Sequence, residues 1–151
     1  MERWKIGLFA GLLAVLFTTV VNILGRRVGL LPEPMDMKYM AEFLIDPAQF
    51  PAAAFALGII VHLVSGGIIG IVYVYLIKSW TPITGMLFMV ADWLVMMLVL
   101  FPLTGRGFFG SNIGPVMAFA TFILNLLYGA AIGWLAGRTI HESRLLKGGQ
   151  V

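Results

Sequence analysis

Four long apolar stretches, at residues 6–24, 52–77, 83–103 and 116–136, dominate the chain, with short polar breaks between them. Each is long enough to cross a hydrocarbon core, which takes about 20 helical residues. A lone strand facing lipid would leave its backbone N–H and C=O groups unpaired, so each stretch is read as a helix. The pattern predicts an all-α fold, a polytopic membrane protein with a four-transmembrane-helix bundle as its single domain. The second stretch exceeds what a bilayer needs and is expected to tilt or to emerge among the headgroups. Only Lys78, Ser79, Trp80, Thr81 and Pro82 separate it from the third. That spacing predicts a tight antiparallel hairpin with Pro82 in the first turn of the third helix.

The longest polar break covers residues 25–51. Inside it, residues 35–45 lie between Pro34 and the Asp46-Pro47 pair. Helical spacing would place Met37, Met40, Ala41 and Leu44 on one face and pair Lys38 with Glu42 on another. A short helix is therefore predicted on the outer membrane surface or capping the bundle. The other outer loop, residues 105–112, is rich in glycine but lacks the Gly-Lys-Ser/Thr ending of a phosphate-binding loop.

Within the spans, small or polar residues recur four apart. Gly58, His62, Gly66 and Gly70 form one stripe, and Thr121, Asn125, Gly129, Gly133 and Gly137 another. Gly7 and Gly11 begin a third, which continues in helical phase to Thr18 and Asn22. Small side chains let helix backbones approach closely, the main source of association energy in lipid. Gly58, Gly66, Gly70, Gly129 and Gly133 are thus expected to be helix-packing positions, either within the bundle or on a stripe left free for a partner's helix. The run from His62 to Gly66, with Gly70, also matches the run from Asn125 to Gly129, with Gly133. Gly25-Arg26 and Gly105-Arg106 follow the first and third spans. Such spacing suggests a parallel duplication of two spans.

Composition agrees with the pattern. Of 151 residues, 60% are hydrophobic and 11% charged, against about 25% charged in an ordinary soluble domain. There is no Cys, which excludes disulfides, thiolate metal sites and a Cys nucleophile. The net charge of +3 is dispersed, and no basic-aromatic patch points to nucleic acid. The first apolar run is longer than a signal-peptide core and no small-x-small site follows it, so it is read as a retained span. One side of the bundle would hold Arg3, Lys5, Lys78, Arg138, Arg144 and Lys147, and the other Arg26, Arg27, Lys38 and Arg106. This bias predicts both termini in the cytoplasm, with Trp4, Trp80 and Trp134 at that boundary.

Few residues carry candidate chemistry. Asp92 is the one acidic residue deep inside a span, where a charge costs at least about 2.5–3.5 kcal/mol on insertion scales. It is expected to face the interior and hydrogen-bond to the fourth span or to another subunit, with a proton relay as the functional reading. His62 is the one histidine inside a span, a hydrogen-bonded interior imidazole or a ligand shared with another subunit. Bis-histidine haem would need a second histidine at that depth, and His141 lies beyond the fourth span. No metal-ligand spacing or Ser-His-Asp arrangement is present, so no catalytic residue, metal or cofactor is assigned. Glu33, Asp36, Glu42 and Asp46 crowd the outer loop and read as solvated carboxylates. At about 1.5 Å rise per residue, depth sorts the buried polar candidates into His62 with Asn22 and Asp92 with Asn125 and Tyr128. The offset of roughly 9 Å argues against a direct Asp92–His62 ion pair.

The segment from Leu103 to Gly107, followed by the run from Asn125 to Gly129 and Gly133, resembles a group of four-span prokaryotic integral membrane proteins without an assigned activity. The resemblance implies the same architecture and a prokaryotic cell membrane as location. The leading expectation for function is a non-catalytic structural or accessory subunit of a larger, bioenergetic membrane complex. Its partners would be the lipid bilayer and other membrane subunits or further copies of itself. The alternatives are a small homo-oligomeric transporter or channel, with Asp92 and His62 on its path, or a membrane binder of haem, quinone or lipid.

Overall fold

The computed structural model of the chain describes residues 2–31, 35 and 37–148, with side chains up to residue 139. Glu33 and Asp36, and the side chains of His141, Arg144 and Lys147, lie outside the described residues. Among the described residues there is no strand. Four helices carry the fold: α1 (Arg3–Arg27), α2 (Pro51–Leu76), α3 (Pro82–Leu103) and α4 (Pro115–Gly148). By length and composition each can cross a membrane, α4 over Pro115–Thr139. Every predicted stretch is recovered, and each helix begins one to three residues earlier than its apolar run. Pro51, Pro82 and Pro115 each open a helix, where the missing N–H costs nothing and φ is preset. The Thr81 hydroxyl accepts from the Thr84 N–H, and Thr84 returns the bond to the Thr81 backbone, a capping box that fixes where α3 starts.

Helix α1 packs on α2, α3 on α4, and α4 on α1. Helices α2 and α3 meet mainly through Tyr73 near their shared turn, where its hydroxyl bonds Thr84 at 2.9 Å and its ring lies 5.4 Å from Phe88. The termini and the α2–α3 turn form one end, here the base. The long loops at residues 28–50 and 104–114 form the other end, the top. Large apolar side chains such as Phe9, Leu13, Phe17, Ile60, Ile68 and Leu87 remain exposed around the bundle.

Two close crossings set the geometry, and they are alike. A Cβ on Gly11 would strike the Gly66 carbonyl, and one on Gly70 would strike the Gly7 carbonyl. In the other pair, a Cβ on Gly85 would strike the Gly129 carbonyl, and one on Gly133 the Thr81 carbonyl. The α1–α2 and α3–α4 crossings therefore match position by position, with Gly66 and Gly70 corresponding to Gly129 and Gly133. Gly137 completes the second crossing against the Trp80 carbonyl. The glycines of all three stripes meet other atoms of this chain, so they pack within it rather than forming the free docking stripe entertained from sequence.

The top departs from expectation. Instead of a helix over residues 35–45 there is a single 3-10 turn, Met37–Ala41. Met37 and Ala41 are buried, but Leu44 is exposed, so the four residues do not share one buried face. The turn lies across α2, where Gly58 faces the Met37 carbonyl rather than another spanning helix. Glu42 pairs not with Lys38 but with Arg106 of the opposite loop, at 2.6 Å. With Arg106 also stacked over Phe101 at 5.4 Å, this half-buried pair ties the two top loops together. Long-range packing has overridden the local i,i+4 option.

Helix α3 is not regular throughout. Residues Met96–Leu100 form a π-helical turn, in which the Phe101 N–H donates to the Met96 carbonyl. Pro102 follows directly. Lacking an N–H, and with its ring crowding the carbonyl four residues back, it disrupts the α pattern just there.

Candidate functional site: a polar layer between two apolar cores

The interior contains two apolar clusters rather than one. The larger, toward the base, joins Ile6, Ala10, Val15, Tyr73, Met89 and Ile132. The smaller, toward the top, joins Met35, Met97, Phe101, Met117 and Ala120. Along each helix the polar candidates fall at the change from one to the other. On α3, Met89 belongs to the first cluster and Trp93 packs on the second, with Asp92 between. On α4, Tyr128 belongs to the first and Leu124 to the second, with Asn125 between. On α2, Leu63 is the last residue packed on the first cluster, and His62 follows it. On α1, buried Thr18, Thr19 and Asn22 continue beyond Val15. The helical periods that build two cores thus also align a polar layer.

Most of the layer is satisfied by the chain itself. Thr18 and Thr19 return their hydroxyls to carbonyls one turn back, as buried hydroxyls in helices commonly do. Thr121 does the same toward Met117 at 2.8 Å, and its oxygen accepts from the Trp93 indole at 3.1 Å. The Trp93 ring in turn lies 5.0 Å from Phe122 and 5.6 Å from Phe109, a residue held at φ 53°. Asn125 donates to the Thr121 carbonyl at 2.9 Å, within its own helix. Tyr128 reaches across the bundle and donates to the Gly66 carbonyl at 2.6 Å. That bond joins the two hairpins at the glycine where α1 and α2 cross.

Three groups stand apart. Among the described residues Asp92 makes no hydrogen bond, so the expected bond to the fourth helix is not formed, and Asn125 and Tyr128 bond elsewhere. The His62 ring makes none either, and no ion pair joins it to Asp92. The Asn22 side-chain oxygen is buried without a partner. His62 occupies the row of Ala54, Gly58, Gly66 and Gly70, all buried, and Asp92 the row of Gly85 and Met89. Both face inward, yet both remain half-buried. Helices α2 and α3 touch little beyond Tyr73. No group of three His, Asp or Glu residues able to hold a metal occurs among the described residues.

Sequence reasoning found Asp92, His62, Asn22, Asn125 and Tyr128, and placed Thr121 on the stripe of the fourth span, but it missed Trp93 and Gly85 as parts of the interior. Gly85 has no second glycine four residues away. Its signal is the pair Thr81–Gly85, in which the close approach at position 81 is made by backbone. The chain matches no known family model, no curated protein and no solved structure. Function therefore has to be argued from the geometry alone.

Proposed function

We propose that the chain is a polytopic membrane protein that serves as a non-catalytic subunit of a larger membrane assembly. The supporting observation is Asp92, a carboxylate at the middle of a span-length apolar helix that has no hydrogen-bond donor among the described residues. In hydrocarbon such a group pairs, lines a water-filled cavity or faces a bundle interior. Its half-buried position leaves it within reach of a neighbouring subunit. Purification from the native membrane in mild detergent, followed by mass spectrometry of the intact complex, tests this reading. Wild type and Asp92→Asn, which keeps a hydrogen-bonding side chain, should retain the partner, and Asp92→Leu should release it. Recovery of wild type as a lone chain would refute the proposal.

A second reading is favoured by the half-buried, inward positions of both His62 and Asp92. A homo-oligomeric transporter or channel would place these two groups along its path. In that case Asp92→Asn would assemble normally but abolish flux in reconstituted vesicles. The subunit reading predicts no flux for either protein.

A further inference from the structure

The base of the bundle carries a charge arrangement that the polar layer does not explain. By sequence, Arg3, Lys5, Lys78, Arg138, Arg144 and Lys147 fall toward that end with the carboxylates Glu2 and Glu142, an excess of four positive charges. By sequence, the segments that join the helices at the other end carry four cations, Arg26, Arg27, Lys38 and Arg106, and four carboxylates, Glu33, Asp36, Glu42 and Asp46. With Asp92 inside, these give the net +3, so the whole excess sits at one end.

Geometry sharpens the contrast. At the top, Arg106 is neutralised by Glu42. At the base, Lys5 pairs with Glu2 at 2.9 Å, whereas Arg3 lies against aromatic rings, 5.4 Å from that of Trp80 and 5.7 Å from that of Tyr75. One Arg3 nitrogen donates weakly to the Ile77 carbonyl at 3.4 Å, which holds the guanidinium over the α2–α3 turn. Its other N–H groups are exposed, and Lys78 is exposed in the same turn. Among the described residues no carboxylate pairs with either. The Trp80 indole donates to the Ile77 carbonyl at 2.7 Å, which fixes the ring as a platform. Immediately above this turn Leu76 and Ile83 are each about two-thirds exposed, an apolar surface next to the two cations.

We propose that Arg3, set on the Trp80 platform, and Lys78 in the same turn bind the phosphate headgroup of an anionic phospholipid, with Leu76 and Ile83 against its acyl chains. A fixed guanidinium and a mobile ammonium suit a phosphodiester that carries no compensating choline. The apolar shoulder selects a lipid over a free anion. This inference rests on the membrane reading given above.

The test is competition in neutral detergent between phosphatidylglycerol and phosphatidylcholine, read as the ratio of bound lipids by native mass spectrometry. Wild type should retain phosphatidylglycerol. Near an anionic surface each cation contributes about 1 kcal/mol, so the double variant Arg3→Gln/Lys78→Gln should lose roughly thirtyfold in preference. The charge-conserving Arg3→Lys/Lys78→Arg should keep most of it, which separates the lipid effect from misfolding. Arg27→Gln, at the top, should change nothing. The inference is overturned if the double Gln variant keeps the preference, if wild type holds both lipids equally, or if inorganic phosphate displaces the lipid. Carbonate extraction of the starting membranes distinguishes the two levels of failure. A chain that resists carbonate yet shows no preference sinks the lipid site alone, whereas release by carbonate sinks the membrane reading and the site with it.

Discussion

Gly85→Ala isolates the energetic role of the α3–α4 crossing. The added methyl would meet the carbonyl oxygen and carbon of Gly129 and lie 3.1 Å from the Gly133 nitrogen. All of these are backbone atoms, so no side-chain rotation relieves the clash and the helices must move apart. Overpacking of this kind costs typically about 1–3 kcal/mol. Against it stands the helix-propensity gain of Ala over Gly, about 0.8–1.0 kcal/mol in a helix interior. The balance is a net loss reaching about 2 kcal/mol. Gly67→Ala provides the matched control, because it makes the same chemical change on α2. Its methyl would meet Leu8 Cδ1 at 3.0 Å and Leu12 Cδ2 at 3.5 Å, the far ends of flexible side chains. There the propensity gain survives, and the variant should be neutral or slightly more stable than wild type. Reversible unfolding in mixed micelles, followed by circular dichroism, measures both. Equal stabilities, or a Gly85→Ala protein more stable than Gly67→Ala, would refute the claim that backbone contact at this crossing determines the packing.

Removing the Tyr128 hydroxyl with Tyr128→Phe should destabilise the bundle by about 0.6–1.7 kcal/mol, the range for interhelical hydrogen bonds in membranes, in the same unfolding assay. No change would mean that the bond to Gly66 does not couple the hairpins. A double-mutant cycle on Glu42→Gln and Arg106→Gln should give a coupling of about 1 kcal/mol, at the upper end for partly exposed pairs. It should also speed amide exchange in Met37–Ala41, and unchanged exchange there would count against the clamp between the loops. Reporter fusions after Val151 and within residues 32–36 should read as cytoplasmic and external respectively, following the Lys/Arg bias. A cytoplasmic signal from the second fusion would reverse the orientation.

Hydrophobic periodicity and the prolines determined by themselves that there are four helices and where three of them begin. Those signals are local: an apolar run long enough to span, and a Pro that opens a helix without losing a bond. Spacing of four also marked the faces of α2 and α4 that approach other backbones, because small residues in helical phase have few other uses. The same spacing could not say which helix each face would meet. Tertiary packing decided that Gly66 and Gly70 cross α1, that Gly129 and Gly133 cross α3, and that Gly58 lies under the top loop. It also decided the outcome at Glu42, where a local partner at Lys38 and a distant one at Arg106 were chemically equivalent. Only the assembled bundle could bury the Arg106 pair beside Phe101. Asp92 divides in the same way. Its depth was legible from its distance to the ends of an apolar run. Its lack of a hydrogen bond was decided by tertiary packing, because Asn125 donates within its own helix and Tyr128 donates across the bundle to Gly66.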